Sequence, residues 1–268
     1  MARHTACLLW IGICALSAAR AQTPQQIIQQ VVDTQHESDE QDHSQWLYLE
    51  KICKPKEQIL QTVASTPQGE VQLVLERNGE KLTASQQSDL IRDFLHDPRA
   101  QKIQVAETNH DLMQLDDLLQ LLPHGFVWTQ TGANATTTFL HFEPNPHFRP
   151  PTREARVFSS MEGDAIIDSQ QHRILSMSGH LMHDVRFGGG ILGKLKRGGS
   201  FSLEQQQVGP SLWQLTAFDV RLQGDAMLFK SISLQEEDER SDFRPEPSTI
   251  TLDQAATEVM SQMETAHF

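Results

Sequence analysis

Closely spaced strand segments fill the second half of this chain and constrain its fold more than any other feature. From Gly125 to Glu236, segments of strand character are separated by short glycine- and proline-rich stretches such as Gly209-Pro210 and Gly224-Asp225. Parallel neighbours need a crossover of a dozen or more residues, and these gaps are too short for one. The segments must therefore pair antiparallel, and a meander of this many strands curls as it twists.

Strands are predicted on both sides of a helical stretch. The earliest are Trp46–Lys51 and Ile59–Ala64, and a third at Val71–Leu75 precedes Asn78-Gly79, the dipeptide most typical of a tight hairpin, with a short return strand at Glu80–Leu82. The later strands are predicted at Phe126–Gln130, Thr136–Glu143, Gly163–Asp168, Arg173–Val185, Gly199–Val208, Leu212–Leu222 and Met227–Glu236.

A helical insertion is predicted at 83–122, where the apolar period changes from two residues to between three and four. Thr83 and Gln86 form a capping-box pattern, Asp97-Pro98 ends the first helix, and Asn109 is expected to cap a second one. The second helix carries a leucine stripe, ending near Leu122, that includes Leu115 and Leu119. Shorter helices are predicted at Gln25–Gln35, within Thr152–Met161 and in a C-terminal helix or tail at 249–268.

The first 21 residues have the pattern of a cleaved export signal. Arg3 gives a positive start, Cys7–Leu16 is apolar, and Ala19 and Ala21 are the small residues that a signal peptidase reads. The apolar run is shorter than the roughly 20 residues that span a bilayer. We therefore expect cleavage near Ala21, a periplasmic protein, no transmembrane segment in the mature chain and a single domain over residues 22–248.

Charge excludes one large class of partners. The chain has 22 basic and 35 acidic residues, a net charge of −13, and loss of the first 21 residues would make it −15. Binding to nucleic acid requires a basic surface, so we expect no nucleic-acid partner. Only Cys53 remains after residue 21, which excludes an intramolecular disulfide.

Several strands carry apolar side chains on both faces, so each face of the sheet needs a cover. In Leu212–Leu222, for example, Phe218 and Val220 lie on one face and Trp213 and Leu215 on the other. Two arrangements satisfy this pattern. One is a sheet packed on its own helices, with a small second core, and the other is a half-open barrel whose concave face holds a lipid-like ligand.

No catalytic or metal-binding constellation stands out. The sequence has no G-x-S-x-G, phosphate-loop or dinucleotide-binding pattern, and Asp164 and Asp168 on one strand are about 13 Å apart by strand rise, too far for an acid–base pair. His180 and His183 fall on opposite faces of a strand, which is wrong for joint ligation. We therefore expect a protein that is not an enzyme and that has no cofactor and no metal.

Between Met161 and Arg244, the chain resembles an uncharacterised group of exported bacterial envelope proteins. Their sheets are similar to those of the lipoprotein carriers LolA and LolB and the lipid-binding protein LppX. The resemblance rests on Glu162–Asp168, Arg173–Leu175, His180-Leu181, Phe187–Gly193, Gly199–Phe201, Leu212–Leu215 and Phe229-Lys230. It implies an α+β, mainly β fold: a curved antiparallel half barrel whose open face is covered by helices and whose cavity accepts acyl chains.

Two functional hypotheses follow. In the first, the protein is a periplasmic carrier or sensor that binds a lipid or an acylated protein in the cavity. The expected lining residues are Trp213, Leu215, Phe229, Leu115 and Leu119. In the second, it is a structural or interaction module with a filled core, and its partner is an envelope protein complex.

Overall fold

The computed structural model describes residues 22–188, 193–226 and 230–265. The expected signal segment and Phe229 lie outside these described residues. The first elements are one helix, a three-stranded meander and its short hairpin return. Their bounds are α1 Pro24–Gln41, β1 Gln45–Lys54, β2 Glu57–Thr66, β3 Gly69–Arg77 and β4 Glu80–Lys81.

Three helices and two short β-hairpins form the middle of the chain, with a one-and-a-half-turn helix between the hairpins. The helices are α2 Ala84–Leu95, α3 Pro98–Leu119, α4 Leu122–Gly125 and α5 Arg153–Phe158. The strands are β5 Phe126–Ala133, β6 Thr137–Pro144, β7 Met161–Asp168 and β8 Arg173–Leu181.

The last part of the chain is a meander closed by one helix. Its elements are β9 Val185–Phe187, β10 Gly193–Leu195, β11 Ser200–Gly209, β12 Leu212–Ala226, β13 Lys230–Glu246 and α6 Leu252–Thr265. All strands join one open sheet in the order β4-β3-β2-β1-β13-β12-β11-β8-β7-β6-β5, with β10 beside β12 and β9 beside β10. Each pairing in this order is antiparallel, so the predicted α+β, mainly antiparallel class is confirmed.

Local sequence signals place most turns and helix starts correctly. Asn78 and Gly79 both have positive φ, as the tightest hairpin turn requires. The Thr83 hydroxyl accepts from the Gln86 backbone N–H while the Gln86 side chain accepts from the Thr83 N–H, and Thr251 begins α6 in the same way.

Two predicted boundaries are wrong. Asn109 does not begin a helix, because α3 runs without a break from Pro98, with the Asp97 carboxylate capping the N–H groups of Arg99 and Ala100. The Asp97-Pro98 pair thus separates two helices and also starts the second one. Near the C-terminus, the last strand does not end at Glu236, because β13 continues to Glu246 and pairs Pro245 with Trp46.

The two ends of the sheet bury opposite faces. Cross-strand partners share a face, and one unbroken row of partners crosses seven strands: Leu140, Ala165, Met177, Leu203, Phe218, Asp238 and Ile52. We call the face of this row the inner face. On β1 it also carries Trp46 and Tyr48, because side chains alternate, and Leu47 lies on the outer face.

Three hydrophobic clusters follow from this alternation. On the inner face, Ile28, Val31 and Val32 of α1 pack against β5–β8, around side chains that include Phe142 and Met177. On the outer face, α2 and α6 pack on β1–β3 around Leu47, Ala64 and Leu73. Helices therefore lie on both faces at opposite ends, and the expectation that helices cover a single open face is not confirmed.

Strands alone supply the third cluster, which lies on the inner face. Trp46, Tyr48 and Val63 pack with Val208, Leu212 and Phe243, and the ring of Tyr48 is stacked on that of Phe243 at 5.3 Å. A β-carbon at Gly209 would lie 3.8 Å from the Trp46 indole. Because β11 and β1 are three strands apart, roughly 14 Å in a flat sheet, the sheet bends toward its inner side here.

None of the described helices is long and apolar enough to cross a membrane.

At Gly163 the backbone of the neighbouring strand leaves no space for a β-carbon. We expect Gly163→Ala to destabilise the protein by at least about 2 kcal/mol. A β-carbon there would lie 1.9 Å from the Ser178 carbonyl oxygen, so β7 and β8 would have to separate. Gly132→Ala is the matched control, because its β-carbon would meet Phe139 at an ordinary 3.5 Å. Urea unfolding of the three proteins measures the difference, and equal midpoints would show that β7 and β8 are not in close contact.

Candidate functional site

Helix α3 is the longest helix described, yet none of its 22 residues is buried. Helices in proteins are stabilised mainly by packing an apolar face. Its attachments at the two ends therefore determine where it lies.

The N-terminal part of α3 is attached by two glutamines. Gln104 accepts a hydrogen bond from the Glu70 backbone N–H at 2.9 Å and donates one to the Glu70 carbonyl at 3.1 Å. Gln101 donates to the carbonyls of Phe94 and Leu95 at the end of α2. At the other end Leu119 packs against the cluster around α1, and Asp116 lies 3.9 Å from His36 of α1.

One face of α3 packs against the rest of the protein at both ends of the helix, but the middle of that face is exposed. Residues on that face recur at alternating spacings of four and three, which places them on one stripe: Gln101, Val105, Thr108, Leu112, Leu115 and Leu119. Val105 and Leu119 have packing partners, whereas Leu112 is 59% and Leu115 44% exposed. Both attachments of α3 lie on the inner face, since α1 packs there and Glu70 contacts Tyr48 of that face. Between these two attachments, Leu112 and Leu115 are not buried.

A buried group of polar side chains lies on the same face, between β1, β2, β3 and β13. Arg240 donates to Glu50 at 3.0 Å and to Asp238 at 2.7 Å, and its guanidinium is 5.6 Å from the Tyr48 ring centre. We call this the Arg240 cluster; its members are Tyr48, Glu50, Gln61, Glu70, Asp238 and Arg240. Gln61 donates to Glu50 at 2.7 Å, and the Tyr48 hydroxyl donates to Glu70 at 3.4 Å.

The cluster has more negative groups than it can neutralise internally. Only two of the three carboxyl groups, those of Glu50 and Asp238, pair with the single guanidinium, and the Asp238 Oδ1 atom is buried without a hydrogen-bond partner among the described residues. Burial raises the pKa of Glu50 and of Glu70 above the ordinary value of 4.5, with Arg240 acting in the opposite direction on both. Burial also raises the pKa of Tyr48 well above 10.0, and the nearby Glu70 adds to that effect.

The residues predicted to line a ligand site fall into two groups. Leu115 and Leu119 share the α3 stripe, with Leu115 exposed and Leu119 packed on the α1 cluster. Trp213 and Leu215 are half-buried on β12, where the Trp213 indole donates to the Gln171 side chain at 3.2 Å. Phe229 lies outside the described residues.

Histidines are paired with carboxylates on the outer face. His141 lies 2.9 Å from Asp164 and His180 3.1 Å from Glu162, each across neighbouring strands. Over residues 22–188, 193–226 and 230–265, no three His, Cys, Asp or Glu side chains converge so as to hold a metal ion.

The sequence interpretation missed the Arg240 cluster. Glu50 is the one signal that was available, because it follows Trp46 and Tyr48 on the same face of a predicted strand and is an acid among aromatic residues. Arg240 sits within an acidic segment of the sequence and lies 190 residues from Glu50. Nothing local in the sequence connects the two.

The chain matches no protein-family model, no curated protein and no solved structure.

Substitution of Arg240 should lower the stability of the folded protein. We expect Arg240→Met to lower the free energy of unfolding by about 2–3 kcal/mol, below the full cost of breaking a buried pair because the Arg240 side chain is 32% exposed. The loss arises because Glu50 keeps its charge in a buried site without its main partner. Lys51→Met is the control, since Lys51 pairs with Glu239 on the same two strands in an exposed position and should cost less than about 1 kcal/mol.

Glu70 should make stability depend on pH in an unusual direction. Its raised pKa means that the folded protein favours the neutral acid, so this contribution to stability is complete below about 4.5 and is lost as the pH rises through the folded-state value. We expect Glu70→Gln to be more stable than wild type at about pH 8 and to show a smaller loss of stability with rising pH. Glu80→Gln, an exposed change of equal charge on β4, is the control in urea titrations across pH.

Proposed function

We propose that the protein is an exported, non-enzymatic carrier or sensor that holds an acyl chain between α3 and the inner face of the sheet. The observation that carries this proposal is the uncovered middle of the α3 stripe. Leu112 and Leu115 lie on the face that packs at both ends of the helix, yet they remain exposed. Complete burial of one leucine side chain contributes about 1.5–3 kcal/mol, so an apolar ligand under this helix gains a useful part of its affinity there.

Three further observations support the same proposal. The inner side of the sheet bends where Trp46 approaches Gly209, as a half barrel requires. Trp213 and Leu215 are half-buried on β12 and could contact the far end of an acyl chain. The export signal expected at residues 1–21 and the resemblance of residues 161–244 to exported envelope proteins with carrier-like sheets support a periplasmic location.

A second function is favoured by the strand-only cluster. Trp46, Tyr48 and Val63 already pack with side chains of β11, β12 and β13, which reduces the space for a ligand on the inner face. In this alternative the protein is an interaction module of the envelope, and another protein covers Leu112 and Leu115.

Substitution of the exposed leucines separates an α3 ligand site from binding elsewhere. We expect Leu112→Ser with Leu115→Ser to weaken binding of a fluorescent long-chain fatty acid at least about 10-fold, because the chain loses two apolar contacts. Met113→Ser is the matched control: Met113 is 61% exposed on the same helix but points away from the stripe, so its affinity should stay within about 2-fold of wild type. Fluorescence titration gives both dissociation constants.

Native mass spectrometry of protein purified from its own envelope provides the second readout. We expect an acyl species at fixed stoichiometry. A protein that carries no lipid and takes up no fatty acid would contradict the carrier and leave the interaction module.

A further inference from the structure

Glu70 connects the Arg240 cluster to α3 through two parts of the same residue. Its side chain accepts the hydroxyl of Tyr48 inside the cluster, whereas its backbone N–H and carbonyl are both held by Gln104 of α3. A change in the charge of the Glu70 carboxyl group therefore acts on the same residue to which α3 is attached.

The attachment tolerates little displacement. Gly69, next to Glu70, has a φ of +130°, and a β-carbon there would lie 2.8 Å from the Gln104 side-chain oxygen and 3.3 Å from the Val105 methyl group. Thr66 fixes the same turn by donating to the Gly69 carbonyl at 2.8 Å. The contact therefore depends on the position of the β2–β3 turn, because both of its hydrogen bonds are made to one backbone unit.

The second attachment of α3 also contains ionisable groups. His36 of α1 lies 3.9 Å from Asp116 of α3 and 3.5 Å from Glu40. Asp39 of α1 faces the same Asp116, and burial raises the pKa of Asp39, although the Gln35 hydrogen bond and Arg173 act in the opposite direction. Protonation of Asp39 therefore weakens repulsion between α1 and α3.

We propose that α3 is a proton-controlled strap: it is held against the inner face at acidic pH and released as the pH rises. This inference deepens the proposed function, because the strap would regulate access to the acyl site. Its movement is nevertheless independent of whether any ligand binds.

The physical cause lies in the charges that face Glu70. Glu50 of β1 and Asp238 of β13 repel an ionised Glu70, and Arg240 is already shared between those two carboxylates. Tyr48 of β1 and Gln72 of β3 donate hydrogen bonds to Glu70, and Gln104 of α3 approaches only its backbone. With rising pH the carboxylate becomes more stable in water than in the cluster, so the β2–β3 turn moves outward and its contact with Gln104 is lost.

The test measures one distance at two pH values. Nitroxide labels at Asn109→Cys on α3 and Gln58→Cys on β2, in a Cys53→Ser background, report the position of the strap by electron–electron double resonance. We expect one narrow distance distribution at about pH 5, and a broader and longer one at about pH 8. Glu70→Gln should keep the narrow distribution at about pH 8, while Glu80→Gln should respond to pH as wild type does. Equal wild-type distributions at both pH values, or a Glu70→Gln protein that responds like wild type, would overturn the strap.

Fatty-acid uptake at the same two pH values separates this inference from the proposed function. If both hold, uptake at about pH 8 is faster than at about pH 5 by about 10-fold, and Glu70→Gln reduces that ratio. Fatty-acid uptake by a protein whose α3 does not move would overturn the strap but not the carrier. A strap that moves in a protein that takes up no fatty acid at either pH overturns the carrier alone.

Discussion

The alternation of side chains along one continuous sheet is the constraint on which the other features depend. Since β1 places Trp46 and Tyr48 on the inner face and Leu47 on the outer one, the sheet must be covered on both sides. The chain meets this requirement with α1 at one end, α2 and α6 at the other, and strand side chains between them. The centre of the inner face therefore depends on strand side chains, and α3 is attached to Glu70 at one end and to the α1 cluster at the other.

The Arg240 cluster reduces the stability that this arrangement provides. A half-buried arginine with two close carboxylates is seldom more stable than apolar residues of the same size, and here a third carboxyl group lies nearby. The raised pKa values of Glu50 and Glu70 express the same imbalance, because burial favours their neutral forms. The cluster therefore contributes less stability than apolar residues would, and its protonation depends on pH at the place where α3 is attached.

Sequence reasoning succeeds where the cause is local and fails where it is not. The turn at Asn78-Gly79 and the helix starts at Thr83 and Thr251 depend on neighbouring residues, and all three are confirmed. The distribution of helices between the two faces depends on strand register, and the pairing of β1 with β13 is interrupted by an irregularity between Leu47 and Leu49. Of the candidate site, helical periodicity predicted the leucine stripe that includes Leu115 and Leu119, but it predicted neither the exposure of Leu115 nor the polar cluster.

The pairing of β1 with β13 also determines the order in which the molecule can be completed. Glu50 meets Arg240 across 190 residues of chain, so β1 has its second neighbour only after the strands between them have been made. Contacts between such distant residues make folding slow, since the entropy of closing the loop is lost before the contacts are gained. Until β13 pairs with β1, Glu50 lacks its guanidinium and the sheet remains divided in two.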